Sequence, residues 1–134
     1  IVMPETQSQE KKDALRLIGC ELKLVPALPY SNPGNYIRQS KQIAENLRKT
    51  SENGVLWANQ FDNIANQTAH FESTGPEIWE QTVGKIDGFT CAVGTGGTLS
   101  GTGLFLKDKN KNIKIALTDP FGSGLYNLLQ GSVG

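Results

Sequence analysis

The residues best suited to chemistry by type and spacing lie in one short run, which we call the glycine loop: Gly94, Thr95, Gly96, Gly97 and Thr98. The loop follows a nearly continuous apolar stretch and precedes a stretch that reads as a helix. Glycines let backbone N–H groups turn toward an anion, threonine hydroxyls add donors, and a helix N-terminus contributes unpaired amides. The pattern is typical both of a phosphate site and of a turn that only joins a strand to a helix, and spacing alone leaves the two open.

Two known phosphate-binding loops can be compared with this one. A P-loop ends in Gly-Lys-Ser/Thr, whereas here no lysine occurs between Thr98 and Lys107, so an NTPase is disfavoured. A dinucleotide-binding loop has the pattern Gly-x-Gly-x-x-Gly, and Leu99 stands at the third glycine position. Asp119 nevertheless follows the next predicted strand, where an acid that binds ribose would lie, so a dinucleotide-binding domain stays an alternative.

Other polar residues are weaker candidates. Gln60 follows a predicted strand and could hydrogen-bond a substrate carboxylate, because open α/β sheets bind ligands at the carboxyl ends of strands; the alternative is a solvated amide. His70 is the only histidine and is predicted to be a half-buried helix residue. No Gly-x-Ser-x-Gly elbow surrounds Ser123, which disfavours a hydrolase triad. Asn66 begins an N-glycosylation pattern but is predicted to cap a helix.

The elements that would position these residues alternate in type. The predicted strands are residues 1–3, 21–25, 55–57, 86–93 and 113–118. The predicted helices are residues 7–18, 36–50, 76–82, 99–107 and 125–130, and residues 59–66 are predicted to form a long loop. Alternation of this kind predicts an α/β fold with an open, mostly parallel sheet and helices on both faces.

Composition excludes several classes of function. Among 134 residues, 13 Lys plus Arg balance 13 Asp plus Glu, and no basic cluster offers a surface for nucleic acid or an anionic membrane. No apolar run approaches the roughly 20 residues that span a bilayer. Cys20 and Cys91 lack neighbours at metal-ligand spacing, so no metal site is expected. Both are predicted to be reduced, buried thiols, and with no signal peptide visible this favours a cytoplasmic location.

Four short motifs occur in a fixed order along the chain. They are Met-Pro-Glu-Thr at residues 3–6, Gln-Phe-Asp-Asn-Ile-Ala-Asn at residues 60–66, Thr-Gly-Pro-Glu-Ile-Trp at residues 74–79, and the glycine loop. Together they resemble the family of cysteine synthase (O-acetylserine sulfhydrylase) and cystathionine β-synthase, which are fold-type II pyridoxal-phosphate enzymes. The resemblance covers nearly the whole chain. It implies a tryptophan synthase β-like fold, of which this stretch would be the central segment.

The resemblance also implies roles for particular residues. The glycine loop would bind the phosphate of pyridoxal 5′-phosphate, and Gln60 would face an amino-acid substrate. The reaction would be a β-replacement that forms L-cysteine from O-acetylserine and sulfide, in a homodimeric enzyme. Residues 1–57 would belong to a smaller substrate-side domain and residues 58–134 to a larger cofactor-binding domain. Asp119, followed by Pro120, takes the place of an acid and proline common in the family, which counts against the dinucleotide alternative.

The chain departs from the family pattern in several places. The Schiff-base lysine of the family lies in a Ser-x-Lys-Asp-Arg-like motif that this chain lacks, so no catalytic residue is predicted here. A second hypothesis is therefore a non-catalytic fragment or binding module. Ile64 and Gln67 stand where the family usually has proline, which predicts a less rigid loop behind Gln60. Asn59 stands where a second glutamine is common, which leaves the choice between cysteine synthase and cystathionine β-synthase specificity open.

Overall fold

A computed structural model of the chain describes residues 1–129 and Gly131. The end of the predicted last helix, at Gln130, and residues 132–134 lie outside the described residues. The chain divides into two compact units, Ile1–Asn59 and a second unit that begins at Gln60. The assignment of residues 1–57 to a substrate-side domain and of residues 58–134 to a cofactor-binding domain stays a prediction.

The first unit contains two strands and two helices. They are β1 (Val2–Pro4), α1 (Gln9–Leu17), β2 (Lys23–Val25) and α2 (Tyr36–Leu47). β1 and β2 pair in parallel, with Val2 opposite Lys23. The side chain of Asn35 accepts a hydrogen bond from the Ile37 N–H at 3.0 Å and so caps α2. Val25 and Ala44 are the buried apolar residues of this unit.

The second unit contains the glycine loop and the helices around it. Its elements are α3 (Ala65–Ala69), a π-helical turn (His70–Thr74), α4 (Gly75–Gln81), β3 (Gly88–Ala92), α5 (Gly97–Lys109), β4 (Lys114–Thr118) and α6 (Gly124–Leu129). β3 and β4 pair in parallel, with Gly88 opposite Lys114, and α5 connects them along the chain. The predicted α/β class with parallel strands is confirmed. The strands form two separate parallel pairs.

Close packing on α5 holds the second unit together. The backbone of α5 approaches α3 and the π-helical turn so closely that a Cβ at Gly101 would collide with the Gln67 carbonyl oxygen and lie 2.9 Å from the Phe71 N. At Gly75 an added Cβ would lie 2.7 Å from the Phe105 Cβ, so the absence of a side chain there is also required. Leu106 and Ile113, 0% and 1% exposed, form the apolar core of the unit. The glycine loop is therefore attached to a helix that is closely packed against its neighbours.

Three predictions about local structure are wrong. Residues 55–57 form no strand: the Val55 carbonyl accepts a hydrogen bond from Arg48 Nε at 3.5 Å instead of pairing in a sheet. The predicted loop 59–66 ends early, because α3 begins at Ala65 and the helical run continues to Gln81. Cys20 and Cys91 are free thiols, as predicted, but both are half-buried and not buried.

No helix in the described part of the chain has both the length and the apolar character needed to cross a bilayer.

Candidate functional site

The glycine loop connects the end of β3 to the first turn of α5. Gly96 has a φ of +87°, a left-handed conformation that residues with a side chain rarely adopt, and Gly97 is the first residue of the helix. The Gly96 carbonyl accepts the first hydrogen bond of α5, from the Ser100 N–H at 2.9 Å. Because α5 has 13 residues, its N-terminus offers first-turn amides that have no partner within the helix, and the positive end of a full helix dipole.

A cleft of about 340 Å³ lies beside the loop. Its lining includes Thr95, Gly96 and Gly97, together with Gln60 and the α5 residue Ser100. The structure thus brings the predicted substrate residue to the same cleft as three of the five predicted phosphate residues. Gly94 is exposed, and a Cβ built there would meet nothing within 4 Å. Thr98 points its hydroxyl elsewhere, toward a histidine described below.

The cleft would hold an anion with neutral groups. Among the described residues that line it there is no lysine or arginine, and Asp62 is the charged residue. An anionic ligand here would depend on backbone amides, hydroxyls and the helix dipole. Such donors suit a phosphate ester whose remaining atoms are bound by other groups.

Asn66 holds the first half of the loop. Its Nδ2 donates to Thr95 Oγ1 at 2.6 Å, and the amide lies where a Cβ of Gly97 would collide with it. The prediction that Asn66 caps a helix is wrong, because Asn66 is the second residue of α3. Asn63 does the capping: its Oδ1 accepts a hydrogen bond from the Ala65 N–H at 3.0 Å.

His70 holds the second half of the loop. Its Nε2 is 3.1 Å from Thr98 Oγ1, and its Nδ1 is 2.9 Å from Thr74 Oγ1. The ring therefore links the first turn of α5 to the end of the π-helical turn. Single π-helical turns often occur at functional sites. The prediction of a half-buried, helical histidine is confirmed.

Gln60 is held much less firmly. It is exposed and follows Asn59, whose φ of +44° places the backbone in the left-handed region that asparagine tolerates. Among the described residues, none forms a hydrogen bond with the Gln60 side chain. Its amide is therefore available to a ligand in the cleft.

Sequence reasoning missed the supporting roles of Asn66 and His70. The two residues are four positions apart, which places them on one face of a helix, and that face lies against α5. This spacing would have been a usable signal if the helix had been predicted to begin at Ala65. Ser100 was also missed; its hydroxyl donates to the Gly96 carbonyl at 2.7 Å and completes the first turn of α5.

Asp119, on which the dinucleotide alternative depended, has a structural partner. Its Oδ2 accepts a hydrogen bond from the Tyr126 N–H at 3.1 Å, in the first turn of α6. A carboxylate used in this way satisfies an unpaired amide at a helix start.

Comparison with known proteins identifies the family. A model of the family described as pyridoxal-phosphate dependent enzyme matches residues 1–130. The chain belongs to this family. The family resemblance drawn from the motifs is confirmed. The predicted cofactor, pyridoxal phosphate, is confirmed at the level of the family.

Curated and solved relatives agree with this assignment. Cysteine synthase 1 of Neurospora crassa is 53% identical over 128 residues, covering 95% of this chain and 33% of that protein. Cystathionine beta-synthase of Apis mellifera is 40% identical over 124 residues, covering 92% of this chain and 24% of that protein. The crystal structure of cysteine synthase from Entamoeba histolytica superposes with a TM-score of 0.72 at 37% identity, covering 95% of this chain and 36% of the other. The chain spans about a third of the length of the cysteine synthases it matches.

The residues of the cleft fit the phosphate end of pyridoxal phosphate. Gly96 leaves space for an approaching ligand, Thr95 is exposed, and the N-terminus of α5 supplies amides. A lysine in the family's Schiff-base motif does not occur in this sequence. The fit therefore concerns anchoring of the cofactor and not its covalent attachment.

Proposed function

We propose that the protein carrying this chain is a pyridoxal-phosphate enzyme that forms L-cysteine from O-acetylserine and sulfide. The observation that carries the proposal is the single cleft shared by Gln60 and the glycine loop at the start of α5. In such a β-replacement the bond from Cβ to the acetate oxygen breaks and a bond from Cβ to sulfur forms. Acetate leaves with the electron pair of the broken bond.

The part of this chain in that reaction is to bind and orient. The glycine loop holds the phosphate through its amides and the Thr95 hydroxyl, and the dipole of α5 favours the negative charge. Gln60 donates its amide N–H to the carboxylate of the amino-acid substrate. When bound, the cofactor withdraws electrons from the substrate Cα, which makes loss of the β-substituent possible.

The proposal is tested by cysteine formation and by cofactor binding. The purified protein should form L-cysteine from O-acetylserine and sulfide only with pyridoxal phosphate present. Gly96→Val should abolish tight binding of pyridoxal phosphate, because a β-branched residue strains a φ of +87°. Gly124→Ala is the matched control, since a Cβ there meets nothing within 4 Å and should leave binding unchanged. Absence of cysteine formation by the loaded protein, or full affinity in Gly96→Val, would contradict the proposal.

A second candidate, a non-catalytic binding module, is favoured by the missing Schiff-base motif. It predicts that pyridoxal phosphate binds reversibly without forming a covalent bond. Treatment with borohydride followed by peptide mass analysis separates the two candidates. One specific modified lysine would count against the binding module, and a protein with no fixed adduct would support it. The homodimer and the cytoplasmic location stay predictions.

A further inference from the structure

The Thr95 hydroxyl accepts hydrogen bonds from two sides. Asn66 Nδ2 donates to it at 2.6 Å, and the Gly97 N–H donates at the longer distance of 3.4 Å. A threonine hydroxyl has two lone pairs that accept and one proton that it donates. With both lone pairs engaged by the protein, the proton is the group left for a ligand.

The position of Thr95 makes that proton available to the cleft. Thr95 is exposed and lines the cleft beside Gly96 and Gly97, whose backbone begins α5. A hydroxyl fixed as a donor favours ligand atoms that only accept hydrogen bonds. The oxygens of a dianionic phosphate ester are such atoms, and a hydrogen bond to a charged acceptor is stronger than one between neutral groups.

The bond from Asn66 is built into the packing of the helices. Asn66 is half-buried on α3, and its amide occupies the space that a side chain at residue 97 would fill. The glycine at position 97 therefore lets the amide reach Thr95. This explains in physical terms why an amide, a hydroxyl and a glycine occur together here.

We propose that Asn66 is a positioning residue that fixes the Thr95 hydroxyl as a hydrogen-bond donor to the cofactor's phosphate. The inference rests on the proposed function of the glycine loop and deepens it. It assigns to Asn66 an effect that acts through Thr95 and not through direct contact with the ligand. An amide turned over, with Asn66 Oδ1 accepting the Thr95 proton, would have the opposite effect on affinity.

The test is a double-mutant cycle read by ligand affinity in the purified protein. Dissociation constants of pyridoxal phosphate and of pyridoxal, which lacks the phosphate, are measured for Asn66→Ala, Thr95→Val and the double variant. Asn66→Ala alone should weaken binding of pyridoxal phosphate about 10-fold and change that of pyridoxal less than about 2-fold. In the Thr95→Val background, Asn66→Ala should change the affinity for pyridoxal phosphate less than about 2-fold.

Thr95→Ser is the matched control, because serine keeps the hydroxyl and should keep the full effect of Asn66→Ala. Should Asn66→Ala fail to fold, Asn66→Ser takes its place in the same cycle, since its side chain is polar but too short to reach Thr95. The inference would be overturned if Asn66→Ala lowered the affinity for pyridoxal phosphate equally in the Thr95→Val variant and in the protein with Thr95. Unchanged or tighter binding in Asn66→Ala would overturn it as well. If the unmodified protein binds pyridoxal phosphate no better than pyridoxal, the proposed function fails together with the inference.

Discussion

Two segments of the second unit face the same cleft but are supported very differently. The glycine loop is held at Thr95 by Asn66 and at Thr98 by His70, and it leads directly into α5. The segment proposed to bind the substrate, residues 60–64 and here called the substrate segment, is exposed throughout, and Ile64 remains 74% exposed at its end. The difference indicates that the proposed cofactor end of the cleft is organised before a ligand binds.

The substrate end is organised to a lesser degree. Asn63 and Ile64 accept hydrogen bonds from N–H groups of α3, so the segment is fixed at its end. The Gln60 amide, in contrast, has no partner among the described residues. Binding a substrate through Gln60 must then include the entropy cost of ordering that side chain. We expect variants of the loop supports, Asn66 and His70, to change stability and cofactor affinity, and loss of the Gln60 amide to change kcat/KM.

The largest effect is expected at Gly101, beneath the loop supports. Gly101→Ala places a Cβ against the backbone of Gln67 and Phe71, which cannot move without separating α3 from α5. We expect a loss of about 3 kcal/mol or more in the free energy of unfolding, measured by chemical denaturation. Gly103→Ala is the control: its Cβ would lie 3.4 Å from Ile115, an ordinary contact, and alanine favours the helix. Similar stabilities for the two variants would show that close packing on α5 does not support the loop.

The glycine loop could be predicted from sequence because its signals are local. Glycine content, the apolar strand before it and the helix after it all lie within a few residues of one another. The parallel pairing of β3 and β4 likewise followed from the strand–helix–strand pattern.

The supports of the loop could not be predicted in this way. Residues 65–74 are polar and short of apolar periodicity, so their helical structure depends on packing against the glycines of α5, a tertiary effect. The opposite error occurred at residues 55–57, where a short apolar run has the pattern of a strand but no partner strand in the described structure. The role of Asn66 was missed for the same reason, because its partner lies 29 residues away.

The next effect concerns the link between the loop and the π-helical turn. His70→Phe keeps an aromatic ring but removes both nitrogen atoms, which leaves Thr74 and Thr98 without their shared partner. We expect a loss of about 1–2 kcal/mol in the free energy of unfolding and several-fold weaker binding of pyridoxal phosphate. Glu72→Gln, an exposed change in the same turn, should alter neither. Unchanged affinity in His70→Phe would remove His70 from the loop supports.

A smaller effect, on kcat/KM alone, is expected when the Gln60 amide is removed from the substrate segment. Gln60→Ala removes one hydrogen bond to a charged substrate group, so kcat/KM for the amino-acid substrate should fall on the order of 10-fold. Because Gln60 is exposed, the free energy of unfolding should change by less than about 0.5 kcal/mol and affinity for pyridoxal phosphate less than about 2-fold. Gln81→Ala, an exposed amide at the end of α4, is the matched control. A large loss of stability in Gln60→Ala would contradict the contrast between the two segments.

The smallest effect should come from making the substrate segment more rigid. Ile64 has a φ of −63°, which proline also adopts, and it lies between the capping residue Asn63 and the first residue of α3. Ile64→Pro should therefore raise the free energy of unfolding by about 0.5–1 kcal/mol, because it restricts the unfolded chain. Thermal unfolding should show a midpoint higher by about 2–4 °C, while Ile64→Ala should leave the midpoint nearly unchanged. Destabilisation by proline would mean that the substrate segment is already constrained in a way that excludes the proline ring. The contrast in support between this segment and the glycine loop would then be weaker than the exposure of the segment indicates.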